Sequence, residues 1–597
     1  MSPIETNSAL TFITGKDAAL EDSIESMQAK LKSFGFDIEE ASWLNPVPNV
    51  WSVHIRDKDC PLCFTNGKGA SKKAALASAL GEFFERLSCN YFWADFYLGK
   101  QVAKGEFVHY PNEKWFPLTE DNTLPAGILD DYLLDHYDPQ GELTAKHLVD
   151  FNSGNSKRGI CALPFTRQDN QETVYIPMNI VGNLYVSNGM SAGNTKTEAR
   201  VQALSELSER SVKNKIIADG ISLPEIPAKV IAQYPSIKAS IDKLEAEGFP
   251  IYSYDASLGG KYPVICVVLL NPNNGTCFAS FGAHPKFEVA FERTVTELLQ
   301  GRSLKDLDVF YPPTFDNEEV ADHHNLETHF IDSAGLISWD LFKKKADFEF
   351  VHWNSEGSSP EEFAALIAAF DELEQPVYIA DYEHLNVYSC RVLAPGLSEI
   401  YPVEELVWRN NSAGIKLRKL MFKLAKDWSN QKQAAKVLAY LDEQDYSEQE
   451  RIFELIGLAF PAGNPWKTLR VGELRALLLV TLGEFDEAQE WAQWTADYGQ
   501  STLSPERQRF YDCLNQALQL ELDEDRKRKQ YLGVFQRMYG EQLVEQVFGL
   551  IDQTHTDNGL SEISDKLINQ PLHHKLMAAY EKLQRAKAKH AKKSHKL

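Results

Sequence analysis

The stretch of sequence that decides the fold is TNGKGASKKAALASALGEFFER, at residues 65–86. A second copy reads SNGMSAGNTKTEARVQALSELSER at residues 187–210, and a more divergent third copy reads FGAHPKFEVAFERTVTELLQGR at residues 281–302. The first two copies run from a strand-like segment through an Asn-Gly turn into a helix that ends with Glu-x-x-Glu-Arg. We therefore predict that the chain uses one helix three times.

The three copies share a register that is set by one glutamate in each: Glu82, Glu206 and Glu297. Seven residues earlier each copy has an alanine, and three residues later it has a carboxylate or a carboxamide: Glu85, Glu209 and Gln300. Gly67 and Gly282 stand fifteen residues before the first and third of these glutamates. Because helical residues three and four apart share a face, each copy carries a polar stripe on an otherwise apolar helix.

Two interpretations of these stripes are open. Crowded carboxylates on a half-buried helix are tolerable only if a cation neutralises them, and oxygen ligands of this kind suit Mg²⁺. In the other interpretation, Glu82 and Glu206 form exposed ion pairs with the arginines four residues further on. The turns at 66–69 and 188–194 favour the first, because they are small, polar and open onto helix N-termini, which attract phosphate. We therefore predict a metal–nucleotide site.

The composition is that of an acidic globular protein with more than one core. The chain has 597 residues, 43% hydrophobic and 24% charged. Its net charge of −24 repels phosphate backbones, so we expect no direct contact with nucleic acid, and ATP then needs divalent cations or local basic groups. No segment approaches the ~18 uninterrupted apolar residues of a membrane span, and the start lacks a secretory signal. We expect a soluble, cytoplasmic protein with no membrane contact.

The apolar pattern in the first two-thirds of the chain mixes helices with strands. Strand-like runs occur at 173–187 and 377–392, among others, and they alternate with helical segments. NPNNG at 271–275 lies between two such runs and predicts a hairpin. We predict an α/β (α+β) domain over residues 1–402.

The pattern changes beyond residue 402, where strand-like runs stop and apolar residues recur at helical spacing. Residues 474–498 resemble a tetratricopeptide helix pair, with Gly483 at the turn, although no clean repeat period follows. We predict an all-α, helical-repeat (TPR-like) domain over residues 403–597.

Several smaller features are interpreted as structural. Cys60 and Cys63 form a C-x-x-C without the second pair that a zinc ribbon needs, so we favour two small apolar residues near a hairpin over a redox or metal site. The doublets 323–324 and 573–574 are interpreted as solvated surface histidines. The basic end is predicted to be a helix that frays into a solvated charge run, with an acidic or ribosome-associated partner as the functional alternative. Its charged residues are Lys582, Arg585, Lys587, Lys589, Lys592, Lys593 and Lys596.

Two motifs give the chain a family resemblance. Ser78, Glu82, Glu85 and Arg86 form S-x-x-x-E-x-x-E-R, and Ser191, Glu198 and Gln202 form S-x6-E-x3-Q. Together they resemble the signature of the YcaO family over about residues 11–402. The resemblance implies a YcaO-type fold, ATP and Mg²⁺ as cofactors, and activation of an amide carbonyl by phosphorylation of its oxygen.

The resemblance also implies a set of site residues. The implied Mg²⁺ ligands are Glu82, Glu85, Glu206, Glu209 and Glu297. The implied nucleotide contacts are Lys16, Ser23, Ser78, Ser191, Asn194, Glu198, Arg210 and Arg293. From the residues alone, Thr195 and Glu198 also fit a capping box, so the role of this glutamate stays open. We assign no catalytic residue, because no Ser/His/Asp or Cys/His set has a recognisable spacing.

Along its whole length the chain is similar to stand-alone enterobacterial members of the family. This similarity implies an ATP-hydrolysing enzyme that assists β-methylthiolation of an aspartate in ribosomal protein twelve of the small subunit. Its partners would be that protein and its methylthiotransferase, and family resemblance favours a homodimer. Two alternatives remain: an ATP-dependent adaptor without covalent chemistry, and an azoline-forming cyclodehydratase. The latter is disfavoured because the last proline is Pro571 and no proline-rich tail follows it.

Overall fold

The computed structural model describes residues 10–154, 156–567 and 569–594. The strands in these ranges form three antiparallel sheets, ordered β1-β2-β3, β10-β9-β8 and β4-β5-β11-β12-β7, with β6 paired to β5. The strands are β1 (Ile38–Val47), β2 (Val50–Asp57), β3 (Phe64–Gly69), β4 (Lys114–Phe116), β5 (Ile160–Arg167), β6 (Thr173–Pro177), β7 (Met190–Gly193), β8 (Ile251–Asp255), β9 (Val264–Asn271), β10 (Thr276–Ala283), β11 (Tyr378–Tyr382) and β12 (Tyr388–Leu393).

Helices lie between the strands and make up the region after them. Those before residue 402 are α1 (Leu20–Phe34), α2 (Lys72–Ser88), α3 (Gly99–Val102), α4 (Asp131–Tyr137), α5 (Met178–Ile180), α6 (Lys196–Asp219), α7 (Ala228–Ile231), α8 (Pro235–Ala246), α9 (Phe287–Leu298), α10 (Asn317–Ala321), α11 (His323–Ile331) and α12 (Ser359–Glu372). Those after it are α13 (Gly414–Leu424), α14 (Gln431–Glu443), α15 (Ile452–Ile456), α16 (Pro465–Thr468), α17 (Val471–Leu482), α18 (Phe485–Gly499), α19 (Pro505–Leu522), α20 (Arg528–Tyr539), α21 (Glu541–Ile551) and α22 (Pro571–Ser594).

The mixed α/β organisation and the C-terminal helical region are confirmed. The predicted hairpin at 271–275 joins β9 to β10. The strand-like run at 173–187 is only partly a strand, because β6 ends at Pro177 and residues 178–185 are helical. Asn179 and Asn183 explain this difference, since both donate hydrogen bonds to the side chain of Asn410, at 3.0 and 3.4 Å. Contacts with a distant segment therefore override the local preference for a strand.

The repeated unit owes its register to close packing of each strand on the helix that follows it. A Cβ atom on Gly67 of β3 would lie 2.1 Å from the carbonyl oxygen of Ala75 in α2. A Cβ atom on Gly282 of β10 would likewise lie 2.3 Å from Oγ1 of Thr294 in α9. The glycines and the small residues facing them thus let helix and strand touch, which fixes where each helix presents its glutamates.

The last helix, α22, returns to the first part of the chain. Leu576 and Tyr580 are fully buried in a core that also contains Phe83 and Phe84 of α2. The indole nitrogen of Trp93 donates to the carbonyl oxygen of Leu576, at 2.9 Å. Among the described helices, none is long and apolar enough to cross a membrane.

The interpretation of the basic end as a solvated, fraying run is wrong for two of its lysines. Lys582 lies 2.8 Å from the carboxylate of Asp59, and the fully buried Lys587 donates to Oδ1 of Asn90 at 2.7 Å. The side chains of Lys592, Lys593 and Lys596 lie outside the described residues. His573 is likewise not a surface residue: it is buried, and its ring bonds the backbone of Tyr97 and Ala459.

Candidate functional site

The three repeated helices bring their glutamates to one place. Helix α2 packs against β7, α6 against β7 and β10, and α9 against β3 and β10, so neighbouring units share strands. Glu85 of α2 interacts electrostatically with Glu82 and with Glu206 of α6. Lys68 of β3 interacts with Glu82, Glu206 and Glu209, and its ammonium group contacts Glu297 of α9. All five predicted metal ligands therefore surround one region.

Cations and a backbone donor hold these carboxylates in the structure. Arg86 lies 3.2 Å from Glu82 and 3.5 Å from Glu85. Arg210 pairs with Glu206 at 2.8 Å. In addition, Glu209 accepts a hydrogen bond of 3.2 Å from the backbone of residue 283. The ion pairs four residues apart that the second interpretation predicts therefore exist, although they are half-buried rather than exposed.

Burial makes the electrostatics of this region unusual. It raises the pKa of Glu85 well above the ordinary value, with Arg86 acting in the opposite direction. It lowers the pKa of Lys68 to about 8, and the nearby Arg293 adds to this effect. Charges that are stripped of water in this way are stabilised only by close partners of opposite sign. The carboxylates and cations of this region therefore depend on one another for stabilisation.

The guanidinium donors beside the glutamates fit an anionic ligand such as a phosphate. Within the described residues no three His, Cys, Asp or Glu side chains are arranged as a ready metal site, because Arg86, Arg210 and Lys68 pair with the glutamates. The buried Nε of Arg293 has no hydrogen-bond partner among the described residues, and the buried Nη1 of Arg86 has only its 3.5 Å ion pair with Glu85. Since buried donors are rarely left unpaired, an anionic ligand suits these positions.

A second group of predicted residues forms one network at the start of α6. The buried carboxylate of Glu198 accepts from Nζ of Lys16 at 3.2 Å, from the backbone of Asp17 at 2.9 Å and from Asn194 at 3.0 Å. The hydroxyl of Ser23 in turn donates to Oδ1 of Asn194 at 2.7 Å. Four of the predicted nucleotide contacts are thus connected to one another.

The contacts of Glu198 bear on the predicted capping box. Thr195 caps α6, because its hydroxyl accepts from the backbone of residue 198 at 3.1 Å. The Glu198 side chain contacts Lys16, Asp17 and Asn194 instead of closing the capping box. The box is therefore only half present, and the carboxylate holds the N-terminal segment on the site.

The remaining predicted contacts lie around the acidic region. The hydroxyl of Ser78 accepts a long hydrogen bond of 3.4 Å from the backbone of Lys68, and Ser191 is fully buried on β7. Arg210 donates to Oδ1 of Asn188 at 2.9 Å, and Arg293 donates to the side chain of Gln202. The two groups meet at His284, whose lowered pKa reflects its burial and its proximity to Arg293 and Lys16.

Sequence reasoning missed Lys68, Asp17 and His284 as members of the site. Lys68 had a detectable signal, because it is the one cation of the first Asn-Gly-containing turn, at 66–69. Asp17 is adjacent to the predicted Lys16, but its contacts with the side chains of Thr195 and Ser359 span most of the domain. His284 lies in the third turn, which lacks the Asn-Gly pattern.

A site of glutamates, arginines and glycine-containing turns on three related helices is characteristic of an ATP-binding family. The profile of the YcaO cyclodehydratase domain, described as ATP- and Mg²⁺-binding, matches residues 66–398, and the profile of the YcaO cyclodehydratase C-terminal domain matches residues 414–589. The chain belongs to the YcaO family. ATP and Mg²⁺ are accordingly its cofactors, as the sequence predicted.

Among individual proteins, the chain is similar to the Escherichia coli ribosomal protein S12 methylthiotransferase accessory factor YcaO. The identity is 62% over 97% of this chain and 99% of that protein. An uncharacterised protein of Haemophilus influenzae is 59% identical over 97% of this chain and 98% of its own length. A solved Methanopyrus kandleri YcaO structure with AMPPCP and Mg²⁺ is 18% identical, with a TM-score of 0.40, covering 65% of this chain and 94% of its own.

Proposed function

We propose that this protein is a Mg²⁺-dependent, ATP-hydrolysing enzyme that assists β-methylthiolation of an aspartate in ribosomal protein S12. The observation that carries the proposal is the meeting of α2, α6 and α9 at one acidic site, in a chain that aligns almost end to end with the Escherichia coli accessory factor. Family chemistry supplies the reaction class, which is activation of an amide carbonyl.

The proposal divides the site into a metal side and a nucleotide side. Glu82, Glu85, Glu206, Glu209 and Glu297 hold Mg²⁺ after Lys68, Arg86 and Arg210 give up their contacts with them. Lys16, Ser23, Asn194 and Glu198 form the nucleotide side, because they are already joined in one network. Ser78, Ser191, Arg210 and Arg293 complete the contacts.

The site's own residues account for positioning and charge neutralisation. Bound Mg²⁺ and ATP supply a γ-phosphoryl group whose negative charge is already partly neutralised. Nε of Arg293, which makes no hydrogen bond within the described residues, and Nη1 of Arg86, which has only a 3.5 Å ion pair with Glu85, are suited to donate to phosphate oxygens. Because phosphoryl transfer depends mainly on alignment and charge, this set needs no nucleophilic side chain.

Ribosomal protein S12 and its methylthiotransferase are the proposed partners, and the cytoplasm is the proposed location. We also propose that the chain forms a homodimer. The C-terminal helices provide the surface for protein partners: α17, α18 and α19 pack side by side in sequence order, as they do in TPR-like repeats.

The decisive experiment compares S12 in cells with and without the gene by intact-protein mass spectrometry. Cells that lack the gene are expected to hold a smaller fraction of methylthiolated S12, and a Glu206→Ala copy is expected not to restore it. An unchanged fraction contradicts the proposal. Restoration by the Glu206→Ala copy would contradict both the proposal and the ATP-dependent adaptor alternative, because both need the acidic site.

The nucleotide side has its own prediction. Ser23→Ala removes the donor to Asn194 and Lys16→Met removes the cation beside Glu198, so each is expected to weaken MgATP binding about five- to tenfold, which corresponds to the loss of roughly one ordinary hydrogen bond. Isothermal titration calorimetry measures the change. Ser33→Ala is the matched control, because Ser33 lies on the same helix, is exposed and bonds only its own turn. Equal affinities for Ser23→Ala and Ser33→Ala would remove Ser23 from the site.

A further inference from the structure

A pair of thiols lies in a tight turn of the hairpin that carries Lys68. β2 ends at Asp57, β3 begins at Phe64, and Cys60 and Cys63 lie between them. The backbone of Cys63 donates to the carbonyl oxygen of Cys60 at 2.9 Å, which closes a β-turn. The ends of such a turn are less than roughly 7 Å apart, and a disulfide joins Cα atoms about 4.4–6.8 Å apart. The backbone therefore places both cysteines where a disulfide can close.

The two thiols are chemically different. The Cys63 thiol hydrogen-bonds to the Cys60 sulfur, and the backbone N–H groups of Leu62 and Cys63 also point to this sulfur. These donors lower the pKa of Cys60, whereas the Cys60 sulfur and burial raise the pKa of Cys63 well above its ordinary value. A thiol with a lowered pKa next to a thiol with a raised pKa matches the difference between attacking and resolving cysteines.

A buried carboxylate accompanies the thiols. Asp57 is fully buried, and its Oδ1 accepts from the backbone of Asp37 at 3.0 Å. Its Oδ2 makes no hydrogen bond within the described residues, although Nζ of Lys582 lies 3.6 Å away. Asp57 interacts electrostatically with both thiols. Its negative charge raises the pKa of both thiols. A buried oxygen that makes no hydrogen bond costs stability even with an ammonium group 3.6 Å away, and a role as proton acceptor for the thiols accounts for it.

We propose that Cys60 and Cys63 form a reversible dithiol–disulfide site that is oxidised by hydroperoxides. The Cys60 sulfur attacks the terminal peroxide oxygen, the O–O bond breaks, and the leaving oxygen takes up the proton that Cys60 has given up, so the products are a Cys60 sulfenic acid and an alcohol or water. The Cys63 sulfur then attacks the Cys60 sulfur and displaces hydroxide, which leaves as water with the Cys63 proton, passed through Asp57. Two thiols are oxidised to one disulfide, and one peroxide is reduced.

The chain contains an internal comparison for this site. Cys266 and Cys277 are also buried on adjacent strands, but Cys266 is opposite Phe281 and Cys277 is opposite Leu270. Burial raises the pKa of both thiols, to about 12 for Cys277. Cys266 and Cys277 are not joined by a β-turn, and no hydrogen-bond donor in the described part of the chain lowers the pKa of either thiol. We therefore expect them to stay reduced under conditions that oxidise Cys60 and Cys63.

The test uses the folded, full-length protein and hydrogen peroxide. After alkylation of free thiols, trypsin cuts behind Lys58 and Lys68 and releases residues 59–68, which contain both cysteines. The expected product is one unalkylated peptide that is lighter than its reduced form by two hydrogen atoms and is restored by dithiothreitol. Cys63→Ser is expected to stop at a sulfenic acid on Cys60, which dimedone traps.

Three results would overturn the proposal: full alkylation of both cysteines after peroxide treatment, over-oxidation without a disulfide, or equal oxidation of Cys266 and Cys277. Asp57→Asn is expected to slow disulfide formation on the order of tenfold, since a positioned proton acceptor contributes at least that much. An unchanged rate in this variant would remove Asp57 from the mechanism. Because the main readout comes from the wild-type chain, it stands even if Asp57→Asn folds poorly.

Discussion

Glu82→Ala, Glu206→Ala and Glu297→Ala are each expected to lower Mg²⁺-dependent ATP turnover by at least about 100-fold, the usual loss when one preorganised electrostatic group is removed. Each variant deletes one oxygen ligand from the acidic region shared by α2, α6 and α9. Release of inorganic phosphate from ATP, measured at saturating Mg²⁺, tests the expectation.

The same variants are expected to stay folded. Removing one carboxylate relieves repulsion within the cluster, and the cation left behind keeps other partners: Arg86 retains Glu85, and Arg210 retains Asn188. The metal-free melting temperature should therefore change by no more than the equivalent of about 1 kcal/mol. Glu247→Ala is the matched control, because Glu247 forms an exposed ion pair of the same spacing with Lys243. A sharp fall in melting temperature for all three site variants would show that these glutamates are structural.

The parts of the site that lie within one helix could be predicted from the sequence. The register of Glu82, Glu206 and Glu297 is local information, because helical spacing alone decides which residues share a face. The repetition then indicates that the helices have a common role, and the packing of Gly67 and Gly282 on the helices explains why the register is kept.

The parts that depend on distant contacts could not be predicted. Asp17 bonds Glu198 across 181 residues of sequence, and Lys587 bonds Asn90 across 497. The sequence of a basic run does not distinguish a lysine that becomes buried in the folded protein from one that stays exposed to solvent. The interpretation of Cys60 and Cys63 as plain apolar residues stays a prediction, because it did not include Lys582, which α22 places 3.6 Å from Asp57, the carboxylate that interacts with both thiols.

Lys587 is expected to make the free energy of unfolding depend strongly on pH. Its ammonium group is buried between Oδ1 of Asn90, the carbonyl oxygen of His109 and the ring of Tyr110. Burial lowers its pKa from 10.5 to about 7, while Cys89 and Glu113 act weakly in the opposite direction. Between about pH 7 and pH 10.5 the folded and unfolded states therefore differ in the number of protons that they bind.

The direction of this pH dependence follows from the difference in proton binding between the folded and unfolded states. Between about pH 7 and pH 10.5 the unfolded chain keeps the proton on Lys587 and the folded chain does not, so the free energy of unfolding rises with pH. Below about pH 7 both states are protonated, and this contribution is constant. Across the whole window the difference of about 3.5 pKa units corresponds to an effect on the order of 5 kcal/mol, of which roughly half falls between pH 7 and pH 9.

Lys587→Met is expected to remove this contribution. Urea unfolding at pH 7 and pH 9 should show a gain in unfolding free energy that is smaller in the variant than in the wild type by about 2–3 kcal/mol. Comparing the difference between the two proteins cancels the contributions of Lys68 and Lys213, whose pKa values are lowered to about 8. Lys582→Met is the control on the same helix, because ion pairing raises the pKa of Lys582 against the effect of its partial burial and leaves no such window. An equal gain in the wild type and in Lys587→Met would mean that Lys587 keeps its proton in the folded protein, and that α22 encloses a charged ammonium group stabilised by Asn90 and His109 alone.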